Sequence, residues 1–187
     1  GVVRIVTVSD EVRGTTRAYR LVTTAEGARL VVNGPVAASL ASGARYVMRG
    51  TANGKALEVR TATRAAIASP KSVAASVPAQ YDGILRLGHA DYTDRPSEFF
   101  YAVFMANGHH KQMRDLQLID ALQNGMEVSV SGTVADGAFT ADHVFIHQCP
   151  QVTVIGAPVL KSPATHTVFA VPVKFPMKCA APFPYPP

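Results

Sequence analysis

"RGTANGKALEV" occupies residues 49–59, and "SGTVADGAFTA" occupies residues 131–141. In each, Gly-Thr closes an alternating apolar run, a short turn carries a second glycine, and another alternating run follows. Alternation with period two is the pattern of a half-buried strand, so each stretch reads as a β-hairpin. A chain that writes the same hairpin twice, 82 positions apart (131 − 49 = 82), has the signature of a duplicated unit.

Working outward at an offset of 81 or 82, Val6 falls on Leu87, Asp10 on Asp91, Tyr19 on Tyr101, Leu21 on Val103 and Gly27 on Gly108. Leu40 then falls on Leu122, Gly43 on Gly125, "YVMRGT" on "VSVSGT" and Leu57 on Phe139. In the first copy, strands are predicted over 2–8, 18–24, 28–33, 44–51 and 56–63, with a helical turn over 35–43 stopped at Gly43. Asn53-Gly54 is a hairpin signal that predicts positive φ at both positions. The second copy gives strands over 83–89, 98–105, 111–118, 126–133 and 138–146, with a short helix over 118–125. Parity turns Tyr46, Met48, Val128 and Val130 inward and Arg45 and Arg49 outward. Five strands with a helix between the third and fourth is the element order of the OB-fold. The expected fold is therefore all-β: two tandem OB-like five-stranded barrels at 1–69 and 81–149, a linker at 70–80, and a proline-rich extended tail at 150–187. The tail holds nine of the 13 prolines, yet "QVTVI" and "HTVFAVPVKF" predict one or two strands in it.

Charge is divided unevenly. Residues 1–70 carry ten Lys/Arg against four acids, and residues 81–149 carry four against nine, within a net charge of +5. Such halves either fold against each other or attract copies of the chain head to tail. Apolar runs are too short and broken to span a membrane. The chain opens "GVVRIV" with no signal peptide, which reads as a processed or trimmed form. Low charge and Ser/Thr/Ala-rich strands predict a secreted, cell-surface or periplasmic location.

The second copy and tail, "GILRLGHADYTDRPSEFFYAVFMANGHH…LQNGMEVSVSGT…GAFTADHVFI" and then "HTVFAVPVKFP", resemble the β-rich N-terminal region of bacterial secreted gametolysin-type metallopeptidases. There a "HADDF"-like turn, an aromatic strand and a G-x-x-V-x-V-x-G strand precede the catalytic domain. The resemblance covers roughly residues 81–176. It implies a propeptide-like module whose partner is a cognate peptidase domain. This sequence has no HExxH zinc helix, so the resemblance implies the non-catalytic part alone.

Chemistry is sparse. No G-x-S-x-G, phosphate-binding loop or paired carboxylates on a helix occur, so no catalytic residue, metal or cofactor is expected. Cys149 and Cys179 predict one disulfide pinning the tail. "PMKCAAP" bears a loose likeness to a cysteine-switch stretch but lacks its Gly and Asp. His109 and His110 are adjacent and point to opposite faces of a strand. His147 and Cys149 share a face but lack further metal ligands, and His89 reads as a turn hydrogen-bonder. Asp91 and Asp94 have calcium-type oxygens, but Asp10 at the place matching Asp91 favours ordinary turn residues. Arg13, Arg17, Arg20, Arg29, Arg45 and Arg49 form a candidate basic face for a nucleic acid or glycan. The lack of aromatic partners beyond Tyr19 and Tyr46 disfavours nucleic acid. Phe169, Phe175, Phe183 and Tyr185 form a candidate assembly tail, through which the chain is expected to build a homo-oligomer or filament. The function expected is a non-catalytic structural, assembly or propeptide-like module.

Overall fold

A computed structural model describes residues 1–66, 76–94, 96–113 and 115–149, together with the backbone of two tail strands. The fold is all-β, as expected. The first half contributes β1 (Val2–Asp10), β2 (Thr15–Thr23), β3 (Arg29–Asn33), β4 (Tyr46–Asn53) and β5 (Ala56–Arg64). The second contributes β6 (Val77–Ala90), β7 (Glu98–Phe104), β8 (His110–Met113), β9 (Glu127–Ala135) and β10 (Ala138–Gln148). The tail adds β11 (Gln151–Ile155) paired antiparallel with β12 (Pro172–Pro176).

The expected helices are single 3₁₀ turns, Ala37–Ser39 and Leu116–Leu118. The second turn sits earlier than predicted and cuts the third strand of that half down to His110–Met113, because Leu116 is drawn into the core. β6 begins at Val77, inside the expected linker. Residues 67–75, which include the first part of the expected linker, and Pro150 lie outside the described residues.

Two separate barrels were expected. The ten strands instead form one mixed, unclosed sheet in the order β4-β5-β3-β2-β1-β10-β9-β6-β7-β8. The halves join where β1 runs parallel to β10, with Thr7 opposite His143 and Asp10 opposite Ile146. The cause is β1 itself, which has two apolar faces. Val3 turns into a core with Val22, Val32, Leu40, Tyr46 and Val59. Val6 and Val8, on the opposite parity, need cover that the first half does not supply. They find it, with Leu21 of β2, among Leu85, Val103, Met126, Val128, Val144 and Ile146 of the second half.

Internal repetition is visible in the backbone. The Val3 N–H donates to Ala44 C=O and the Val3 C=O accepts from the Gly43 N–H, and Leu85, 82 positions on (85 − 3), does the same with Met126 and Gly125. The glycines of the two opening hairpins also correspond. A Cβ on Gly50 would sit 2.0 Å from Glu58 O, and one on Gly132 would sit 2.0 Å from Thr140 O. In each half the fifth strand crosses the fourth too closely for any side chain, beside an irregularity in the ladder. The first hairpin turns on Gly54-Lys55 rather than on Asn53-Gly54, since Asn53 pairs with Ala56 and φ is positive at Gly54 alone. Asp136-Gly137 has positive φ at both positions, 50° and 75°.

Candidate functional site

Ionisable and hydroxyl side chains gather on both faces of the β1–β10 join. On the face where Val6, Val8 and Leu21 enter the second core, a charged rim surrounds the apolar contact. Arg4 Nη1 lies 2.8 Å from Asp115 Oδ2, Arg29 Nε lies 3.1 Å from Asp115 Oδ1, and Arg29 Nη1 lies 3.6 Å from Glu98 Oε1. The Tyr19 hydroxyl donates to Asp120 Oδ1 at 2.6 Å. Partial burial, then the hydrogen bond and charge of Asp120, push the Tyr19 phenol up to about 12. The basic half and the acidic half thus meet within one chain at these residues. A cleft of about 390 Å³ opens beside the rim between β8 and the β9–β10 hairpin, lined by Arg4, Arg29, Lys111, Met113, Asp115 and Phe139. Arg4 Nε is buried there with no partner among the described residues.

The opposite face carries two polar rows that cross the join. In one, Thr16 Oγ1, Ser9 Oγ and His143 Nε2 follow each other at 3.2 and 2.9 Å, and the His143 ring stacks on Phe145 at 4.0 Å. In the other, Glu11 Oε2 lies 2.8 Å from His147 Nδ1, and His147 Nε2 lies 2.7 Å from Ser129 Oγ. The Ser129 hydroxyl also hydrogen-bonds Asp82, which, with Gln80, holds that carboxyl below its usual range.

Carboxylate, imidazole and hydroxyl in that sequence have the connectivity of a nucleophile relay. The protons are placed for something else. Ser129 has one hydroxyl hydrogen, and Asp82 takes it. The hydroxyl hydrogen is therefore not directed at His147 Nε2, as a serine activated by a histidine base would need. Ser129 also stands mid-strand, opposite Asp82 on one side and Phe145 on the other, where backbone N–H groups belong to the sheet and not to an oxyanion. The row is a tie between halves.

Of the six arginines expected to form one basic face, Arg13 and Arg17 line one cleft, and four of the six are engaged with groups of their own. Arg13 pairs with Asp10 at 3.5 Å, and Asp10 caps its turn by accepting the Arg13 N–H. Arg29 is held by Asp115 and Glu98. Arg20 donates to Ala38 C=O, and Arg17 lies over the Tyr19 ring. Arg45 and Arg49 stand on the outer side of β4 with exposed Val47 between them. Asp91 accepts from Ser97 Oγ at 2.6 Å and lies 3.5 Å from His89, and His110 stacks on Phe104. No three His, Cys, Asp or Glu side chains group to hold a metal among the described residues. Cys149 is disulfide-bonded, whereas its expected partner Cys179 lies outside the described residues. So do Phe169, Phe183 and Tyr185, and of Phe175 only the backbone is described. The polar rows were missed in the sequence because Ser9, Glu11, Ser129 and His147 become neighbours only through the parallel join.

Comparison with protein-family models, with curated proteins and with solved structures finds no match to this chain.

Proposed function

We propose that the chain is a non-catalytic structural module of a secreted protein, made of two OB-like halves that share one core, and that it serves a peptidase domain as a propeptide-like companion. The OB-like reading is supported by the neighbour order within each half. Around a ring of first, second, third, fifth and fourth strands, the first half has every pairing except fourth to first, where one bridge, Val2 to Arg45, stands. The second half has every pairing except third to fifth, where the cleft lies. The secreted reading is supported by the disulfide at Cys149, a bond of oxidising compartments. The peptidase reading rests on the resemblance of residues 81–176.

The observation that carries the structural role is the join. Histidines, carboxylates and arginines that could do chemistry are engaged there in tying one half to the other. The same pairs use charge inside the chain that head-to-tail association would need, so self-association would depend on the tail. The test is to add the purified chain to a gametolysin-type peptidase domain and follow peptide hydrolysis and co-elution. Inhibition with a stable complex is expected; full activity with separate elution refutes the companion role. Size exclusion of the full chain and of a version truncated after Cys149 reads the tail's part, and a higher-mass species lost on truncation would establish assembly.

A further inference from the structure

The join has a directional property that its contacts alone do not express. β1 enters it from Gly1, and β10 leaves it at Cys149. The two strands are parallel, so these ends lie at opposite ends of the paired segment. Tension drawn between them pulls β1 one way along its axis and β10 the other. A ladder loaded in this way is sheared, and its hydrogen bonds must fail together. Pulled from the same end, the strands would be peeled apart one bond at a time.

Four further features act along the same line. The four paired positions, Thr7–His143 to Asp10–Ile146, are extended by Glu11 N–H donating to Ile146 C=O at 3.0 Å. The polar rows add side-chain ties from Ser9 to His143 and from Glu11 to His147 over the same stretch. β1 is also paired with β2 along its whole length, from Val2–Thr23 to Asp10–Thr15, so it cannot slide without breaking that ladder too. Val6, Val8, Val144 and Ile146 keep water from the other side of the bonds and so slow their exchange for solvent partners.

We propose that the β1–β10 join is a mechanical clamp that keeps the module folded under tension applied between its N-terminal end and the chain beyond Cys149. A pull on the tail reaches Cys149 through the backbone or through its disulfide, and by either route it enters β10 at the end that shears the join. This inference stands on the topology and not on the peptidase reading, so either can fail without the other.

The test is single-molecule force spectroscopy on the full chain with two attachment geometries. Handles at Gly1 and Pro187 load the join in shear. Handles at Gly1 and Gly137 hold the two strands by the same end, because Gly137 immediately precedes β10, and so peel them. With four paired positions loaded together rather than in turn, the shear rupture force is expected to be about three- to four-fold the peeling force. A Ser9→Ala/Glu11→Ala double variant, which deletes both side-chain ties from an exposed face, is expected to lower the shear force and leave the peeling force unchanged. Circular dichroism of that variant checks that it folds. A shear force no higher than the peeling force, or one that the double variant leaves unaltered, overturns the proposal.

Discussion

Replacing Leu21 by alanine separates a shared core from two adjoining ones. By sequence Leu21 belongs to the first half, yet its side chain is 5% exposed among residues of the second. Truncating a buried leucine costs about 2–5 kcal/mol, part transfer and part cavity. A mid-range value of about 3 kcal/mol suits a site walled by several β-branched side chains that collapse poorly. For a chain of this size each kcal/mol lowers Tm by about 2–4 °C, so the drop should be about 6–12 °C. Val22, the next residue, points the other way into the first core and is 3% exposed. Val22→Ala removes two methyl groups and should cost about 1–2 kcal/mol. The informative result is the shape of the transition. If β1 and β2 serve both cores, guanidinium unfolding followed by tyrosine fluorescence and by circular dichroism should give one coincident transition, which both variants shift as a whole. Two steps, with Leu21→Ala moving only one of them, would refute the reasoning.

Alanine at Gly132 should destabilise strongly, by more than about 2 kcal/mol, because its Cβ meets the backbone at Thr140 and cannot be relieved by a rotamer change; Gly50→Ala should do the same against Glu58, and thermal melts compare them. Ser129→Ala removes the first cause of the lowered Asp82 carboxyl. A depressed carboxyl contributes stability above its unfolded value that is lost as pH falls through the folded value, so the variant's urea midpoint should fall less steeply in acid than that of the parent. Tyr19 gives the alkaline counterpart: its phenol titrates near 10 unfolded and at about 12 folded, so its contribution is complete below pH 10 and lost from pH 10 to 12. Tyr19→Phe should flatten the urea midpoint over that range, and an unchanged slope would remove Tyr19 as its cause.

Strand content was legible because alternation survives wherever one face is wet. β4 and β9 follow the predicted parity, with Tyr46, Val128 and Val130 buried. The first two strands were placed less well, and for a reason. The sequence sets Leu21 against Val103, but the structure gives that place to Val22: Val3 pairs with Val22 as Leu85 pairs with Val103. A one-residue slip exchanges the faces of a strand, and normally burial of a single face forbids it. β1 and β2 bury both faces, so their apolar phase fits either register. The candidate site was illegible for a related reason. Ser9 and His143 are 134 positions apart and Glu11 and His147 are 136 apart, and no local spacing announces a parallel pairing at that range.

The double-faced β1 also sets the order of events when the protein is made. As β5 leaves the ribosome at Arg64, the first half has all of its own strands, yet Val6, Val8, Leu21 and Tyr19 still lack the cover that arrives with Val144 and Ile146. The wait is 82 residues (146 − 64), roughly 4–16 s at ordinary translation speeds. During that interval the nascent chain presents an apolar strip on paired strands, the kind of surface chaperones hold and misfolding exploits. Folding is completed by a contact of very high sequence separation and should therefore be slow for a chain of this length. Expressing the first half alone should give an aggregating product, whatever the quality of its own core.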